Sequence, residues 1–326
     1  MSKEQEMTLQ QATAHFLARL KRKSSSEHTV RNYTKALAAF SNSLAQRGID
    51  PKRTPIGSLS PDWLSYFLDD LSDQAASTEQ VYTTIVACFY RFAAAEEWAQ
   101  VNLARLNLRL QERRTPARRL PRVPAQEIET IITETESLLN GKLSSAKQLI
   151  VLRDCAFLTT LADTGLRLTE ACSLRRGDLD WAERRARVRG KGSREDIVRF
   201  SSRAMGRLRQ YLSARQRLDA QQGCPIERLP LFARHDRKAG RRILSISPRT
   251  GEQIVARAVA RVLGEEAQGR VTPHDFRRYF VTNLMRATGD IHLAQRAARH
   301  ASIHTTVRYS RLDDEELDEI YEEIFR

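Results

Sequence analysis

Near the end of the 326-residue chain, the run from Thr272 to Arg311 gathers side chains suited to attacking a phosphate ester. It holds a His-x-x-Arg pair, His274 and Arg277, then His300, then Tyr309 nine residues further on. A phenol oxygen can attack phosphorus, but its ordinary pKa near 10 makes it weak unless cations or a histidine base activate it. Cleavage loads negative charge onto the non-bridging and leaving oxygens, so a site working without a metal needs cationic donors and a proton source. Guanidinium forks match phosphate oxygens, which singles out Arg277 and, far upstream in Thr164-Gly165-Leu166-Arg167, Arg167. Lys191, within Gly190-Lys191-Gly192, is placed to protonate a leaving oxygen. The set calls for no cofactor and no metal. Each signal is weak alone; order and spacing together carry the reading. Tyr279 and Tyr321 are fallback nucleophiles without that spacing.

Periodicity lays out the elements that must hold these residues. Apolar positions recur at helical spacing from Thr8 to Arg22, and Val30, Tyr33, Leu37, Phe40 and Leu44 form the buried face of a second helix ending at Gly48. Ser60-Pro61 predicts the start of a third helix, and a fourth runs from about Ser77 to Glu97. Seven arginines between Arg105 and Arg122 face one acid, Glu112, and the stretch closes on Pro116, Pro121 and Pro124. It reads as a basic linker laid along a phosphate backbone, with Arg113, Arg114, Arg118 and Arg119 as candidate DNA contacts. Beyond Pro124 helices resume, and the apolar one ending at Gly165 is expected at the centre of a core. A short helix opens near Arg167. Alternation in Arg187-Val188-Arg189 and Ile197-Val198-Arg199-Phe200 around a Gly-Lys-Gly-Ser turn predicts a β-hairpin. The expected fold is mainly α with a small β-sheet in the C-terminal domain (α+β). Expected boundaries are a helical domain over 1–104, the linker over 105–123, and a second domain over 124–326 with a terminal helix at 313–326.

Composition agrees with a two-domain globular protein, 41% hydrophobic and 29% charged, with no apolar run approaching the roughly 20 residues of a membrane span. The start lacks the layout of a signal peptide, so a cytoplasmic, nucleoid-associated protein is expected. Four scattered cysteines form no zinc pattern and are expected to be reduced, mostly core residues. The net charge of +14 understates the basicity, because residues 313–326 carry eight acids and one arginine. Residues 1–312 therefore hold +21, the +14 plus the seven charges that this tail cancels. An excess of that size points to nucleic acid, with a merely solubilising surface as the plain alternative.

The ordered series Arg167, Lys191, His274-x-x-Arg277, His300 and Tyr309, with TGLRLTE and the paired Thr305-Thr306, resembles the tyrosine recombinases of the λ-integrase and Xer/Cre type over essentially the whole length. The resemblance makes the first domain, over 1–104, an all-helical core-binding, SAM-like DNA-binding domain and the second, over 124–326, the catalytic domain. It makes Arg167 and Arg277 the phosphate clamp, Lys191 the general acid, and His274 a general base or phosphate donor. His300 becomes a transition-state donor, Tyr309 the nucleophile and Glu170 the acidic residue supporting the site. Arg278 and Arg299 depart from the family pattern, which often has His and Gly there; neither is a catalytic position, but assignment to a narrow subfamily is less secure. The chain begins almost directly with the core-binding helices, which favours a simple two-domain recombinase without an arm-binding domain.

By the same resemblance, Tyr309 forms a 3′-phosphotyrosine, and two rounds of strand exchange pass through a Holliday junction. The implied partners are double-stranded DNA with paired recombination sites and three further copies of the chain, joined through the amphipathic acidic C-terminal helix. An accessory protein or a second recombinase is left open, and no membrane is involved. Two alternatives stay open: DNA relaxation of the type IB topoisomerase kind, and a non-catalytic DNA-binding protein that keeps the fold.

Overall fold

The computed structural model describes residues 6–23, 27–112, 123–189, 195–236 and 239–299, and it divides into two compact units, Met1–Arg119 and Leu120–Arg326. The first is built from α1 (Leu9–Arg22), α2 (Glu27–Gln46), α3 (Pro61–Asp70), α4 (Ala76–Ala95) and α5 (Leu103–Glu112). Local chemistry starts them. Thr8 and Gln11 cap α1 reciprocally, and Ser60 caps α3 by accepting the Asp62 N–H at 3.2 Å, with Pro61 at the first helical position. Leu37, Phe40, Phe67, Phe89 and Tyr90 close the core, and the Tyr90 hydroxyl donates to the Ser60 carbonyl at 2.8 Å. Those apolar positions on α2 are the ones its periodicity predicts.

The arginine-rich stretch corrects one expectation: it does not begin as a linker. Residues 103–112 are helical, Leu106 is fully buried in the first unit's core, and Arg105 donates to Asp62 at 2.8 Å. Arg109 lies 3.7 Å from the same carboxylate. The helix is allowed because the first proline, Pro116, comes after it. Besides Glu112, these arginines have the Asp62 carboxylate of α3 as a counterion. Residues 113–122, with Arg113, Arg114, Arg118 and Arg119, lie outside the described residues.

The second unit contains α6 (Ala125–Ser137), α7 (Ser145–Thr164), α8 (Leu168–Ser173), β1 (Leu179–Asp180), β2 (Arg185–Arg189), β3 (Glu195–Arg199), α9 (Ser202–Ala220), α10 (Pro248–Leu263), α11 (Pro273–Thr288) and α12 (Ile291–Ala298). α7 runs through its middle. Every residue from Cys155 to Ala162 is buried, as expected of a helix that is apolar on all sides. Each fully buried Phe or Leu contributes about 1.5–3 kcal/mol, so the packing of Phe157 on Phe232, ring centroids 5.1 Å apart, fixes this helix firmly. The strands form an antiparallel sheet in the order β1-β2-β3, with Ala186 opposite Val198 and Val188 opposite Asp196. Ala186, Val188 and Val198 turn inward, as the alternation predicts; β1 is too short to alternate and was not foreseen. The fold is thus mainly α with a small sheet.

Cys155 and Cys172 are free, buried thiols that burial pushes up to about 12, so they stay protonated; Cys88 is half-buried and Cys224 is exposed. No helix among the described residues is long and apolar enough to cross a membrane.

Candidate functional site

Helix ends build the site. α7 stops at Gly165, whose φ of +59° is the left-handed conformation that glycine tolerates best. Two residues on, Arg167 opens α8, where Glu170 accepts both the Arg167 backbone N–H at 2.9 Å and its Nη1 at 2.7 Å. On the opposite wall α11 begins at Thr272-Pro273, and Asp275 accepts the Thr272 N–H at 2.9 Å and its hydroxyl at 2.7 Å. His274 and Arg277 sit on the first turns of that helix. Arg277 is buried, with Nη1 donating to the Gly165 carbonyl and Nη2 to the Ala298 carbonyl at the end of α12. One guanidinium thereby ties together the ends of two helices and the start of a third.

Arg167, His274 and Arg277 line one cavity of about 330 Å³, together with Thr272, Pro273 and Glu252 of α10. Residues 110 positions apart in sequence thus meet at one place. A larger cavity of about 880 Å³, lined by Glu170 among others, lies beside the hairpin and shares no lining residue with the smaller one; the smaller one holds the groups with the right chemistry. Although His274 is solvent-exposed, desolvation by the surrounding protein holds its pKa below the ordinary histidine value; Asp275 opposes this, and Arg277 and Arg278 push the same way. His274 is therefore neutral near pH 7 and able to accept a proton. Burial pushes the Glu170 carboxyl up, but the charge of Arg299 and the hydrogen bonds from Arg167 outweigh it and hold the group below the usual carboxylate range.

Four of the sequence-predicted site residues, Arg167, Glu170, His274 and Arg277, are thus gathered. Lys191, His300 and Tyr309 lie outside the described residues, although strands β2 and β3 that flank Lys191 are seen. The fallback Tyr279 is unfit as a nucleophile: its phenol donates to Glu129, and burial and that carboxylate push it up to about 12. Arg278, read as a bare departure from pattern, is a buried brace, pairing at 2.9 Å with the Asp275 that starts α11. Arg299, also read as a departure from the family pattern outside the catalytic positions, has a structural partner that the sequence did not indicate. It ends α12 in the left-handed conformation, φ 56°, and pairs with Glu170 at 2.6 Å. The hints were its place beside His300 and an arginine where the family often has glycine; a cation at a helix C-terminus ordinarily reads as a solvated cap.

Two family models match: the phage integrase family over residues 121–316, and the phage integrase N-terminal SAM-like domain over residues 14–97. The chain belongs to the phage integrase family. It is a tyrosine recombinase, a member of the class of enzymes that cut and rejoin DNA strands. Its relatives include tyrosine recombinase XerC of Actinobacillus pleuropneumoniae, 27% identical over 92% of this chain and 88% of the relative. Another is tyrosine recombinase XerC of Myxococcus xanthus, 29% identical over 92% of each chain. Among solved structures, the XerH site-specific recombinase bound to a palindromic difH substrate superimposes with a TM-score of 0.67 at 16% identity, covering 98% of this chain and 90% of that one. A λ integrase dimer bound to a core site gives 0.61 at 18% identity, covering 94% and 97%. At those identities the structural likeness establishes the fold of this recombinase.

Proposed function

We propose that the chain exchanges strands between two DNA sites through a 3′-phosphotyrosine intermediate, with Tyr309 as nucleophile. The observation that carries this reading is the convergence of Arg167 and Arg277 on one cavity that His274 also lines. The Tyr309 oxygen bonds to phosphorus as the bond to the 5′ oxygen breaks. The phenol proton passes toward His274, and Lys191 protonates the departing 5′ oxygen. Arg167 and Arg277 hold the non-bridging oxygens, and His300 donates to them as charge builds. The freed 5′-hydroxyl then attacks the partner's phosphotyrosine, so ester bonds are conserved, and a second round resolves the Holliday junction.

The N-terminal unit and residues 113–122 contact the DNA, in the cell's cytoplasm, where the nucleoid lies. Four copies assemble on paired sites, each acidic C-terminal helix docking on a neighbour, with an accessory protein or second recombinase as further partners. Deleting residues 313–326 is expected to preserve single-site binding in gel shifts and abolish cooperative assembly; unchanged assembly contradicts that part. The reaction itself is tested on plasmids carrying one or two copies of the site. Strand exchange that requires two sites is expected, whereas relaxation of the one-site plasmid with no recombinants from the other identifies a topoisomerase.

A further inference from the structure

The buried Glu170 carboxylate has two arginine partners with different surroundings. Its side chain is 6% exposed, that of Arg167 46%, and that of Arg299 6%. Arg167 therefore borders the cavity and can meet a phosphate, while Arg299 is enclosed. One carboxylate oxygen takes Arg167 Nη1 at 2.7 Å; the other takes the Arg167 backbone N–H at 2.9 Å and Arg299 Nη2 at 2.6 Å. Arg167 Nη2 also points to the Arg299 carbonyl at 3.5 Å. If Arg167 were the sole partner, the pair would sum to zero and the guanidinium would meet a phosphate with its charge already cancelled. With Arg299 present, the cluster keeps one net positive charge, and the exposed member is the one that carries it to the cavity. Asp196 on β3 also attracts Arg299, but it is partly exposed and no ion pair joins them.

The cost of placing arginine here argues against a packing role. Arg299 adopts a left-handed backbone that favours glycine, and its Nε and Nη1 are buried without a hydrogen-bond partner among the described residues. Burial lowers its pKa from the ordinary arginine value while Glu170 opposes the shift, as expected of a cation enclosed to answer one buried anion.

We infer that Arg299 is a positioning residue for strand cleavage: by balancing Glu170, it leaves the charge of Arg167 available to the scissile phosphate. The inference rests on the reading of Arg167 as a phosphate clamp. Its test is single-turnover formation of the covalent adduct on a nicked site, at saturating protein, for wild type, R299M, R299K, E170Q and R299M/E170Q, with DNA affinity and circular dichroism measured in parallel. R299M is expected to cleave about tenfold slower or worse, with affinity within about threefold and R299K close to wild type. In the E170Q background no anion remains to balance, so R299M/E170Q should match E170Q alone. That comparison also serves if R299M by itself does not fold. A wild-type rate for R299M, or a double variant much slower than E170Q, overturns the inference while leaving the proposed reaction intact. A wild-type chain that forms no adduct at all overturns the underlying reading, and the inference with it.

Discussion

Arg277 is held in place by giving two of its donors to backbone carbonyls, those of Gly165 and Ala298, before any substrate arrives. A guanidinium has five N–H groups in a fixed fork, so it can be anchored and still face a phosphate; an ammonium cannot do both with the same geometry. R277K should therefore lower single-turnover cleavage by about 10²–10³ while changing DNA affinity little, because one preorganised donor set is lost only where charge develops. Equal losses in affinity and rate would place Arg277 in general DNA grip instead. His274 gives a pH prediction. Its pKa is lowered, so the neutral imidazole persists below the ordinary value near 6.5. The acid limb of the cleavage rate is expected below pH 6.5 and should disappear in H274Q at a lower overall rate. A limb above 6.5 would mean that His274 works in its charged form or that another group controls the step.

At the scale of elements, the site depends on how α7 ends. Gly165 must turn left-handed, pass its carbonyl to Arg277 and clear the ring of Phe280, into which an added Cβ would run. Gly223 has a similar φ of +64° with nothing within 4 Å. G223A should lose only the backbone strain, about 1–2 kcal/mol; G165A should lose more and also slow cleavage. Thermal melts of both variants, set beside cleavage rates, check this, and equal effects would remove Gly165 from the account. The same elements show what the sequence could reveal. The hairpin, the start of α3 and the place of Arg167 at the mouth of α8 are local, written in Gly-Lys-Gly-Ser, Ser-Pro and TGLR, and they were legible. The helix over 103–112 and the role of Arg299 were not, because the residues that explain them, Asp62 and Glu170, lie 43 and 129 positions away in sequence. Charge runs read as solvated surfaces until the fold supplies their counterions.

Across the whole molecule, the charge of +21 over residues 1–312 supplies non-specific attraction for DNA, so binding should weaken steeply with added salt. Attraction alone does not cut; the cavity lined by Arg167, Arg277 and His274 is where we propose that the protein acts on a single phosphate. The central claim is that this place serves a tyrosine nucleophile. It is tested most directly by incubating the chain with a nicked recombination site, denaturing, and looking for protein covalently joined to the DNA 3′ end. Wild type is expected to give the adduct, and peptide mapping to place it on Tyr309, with Y309F giving none while binding the same DNA equally well. An adduct that survives in Y309F, or no adduct from a wild-type chain that binds the site, would contradict it.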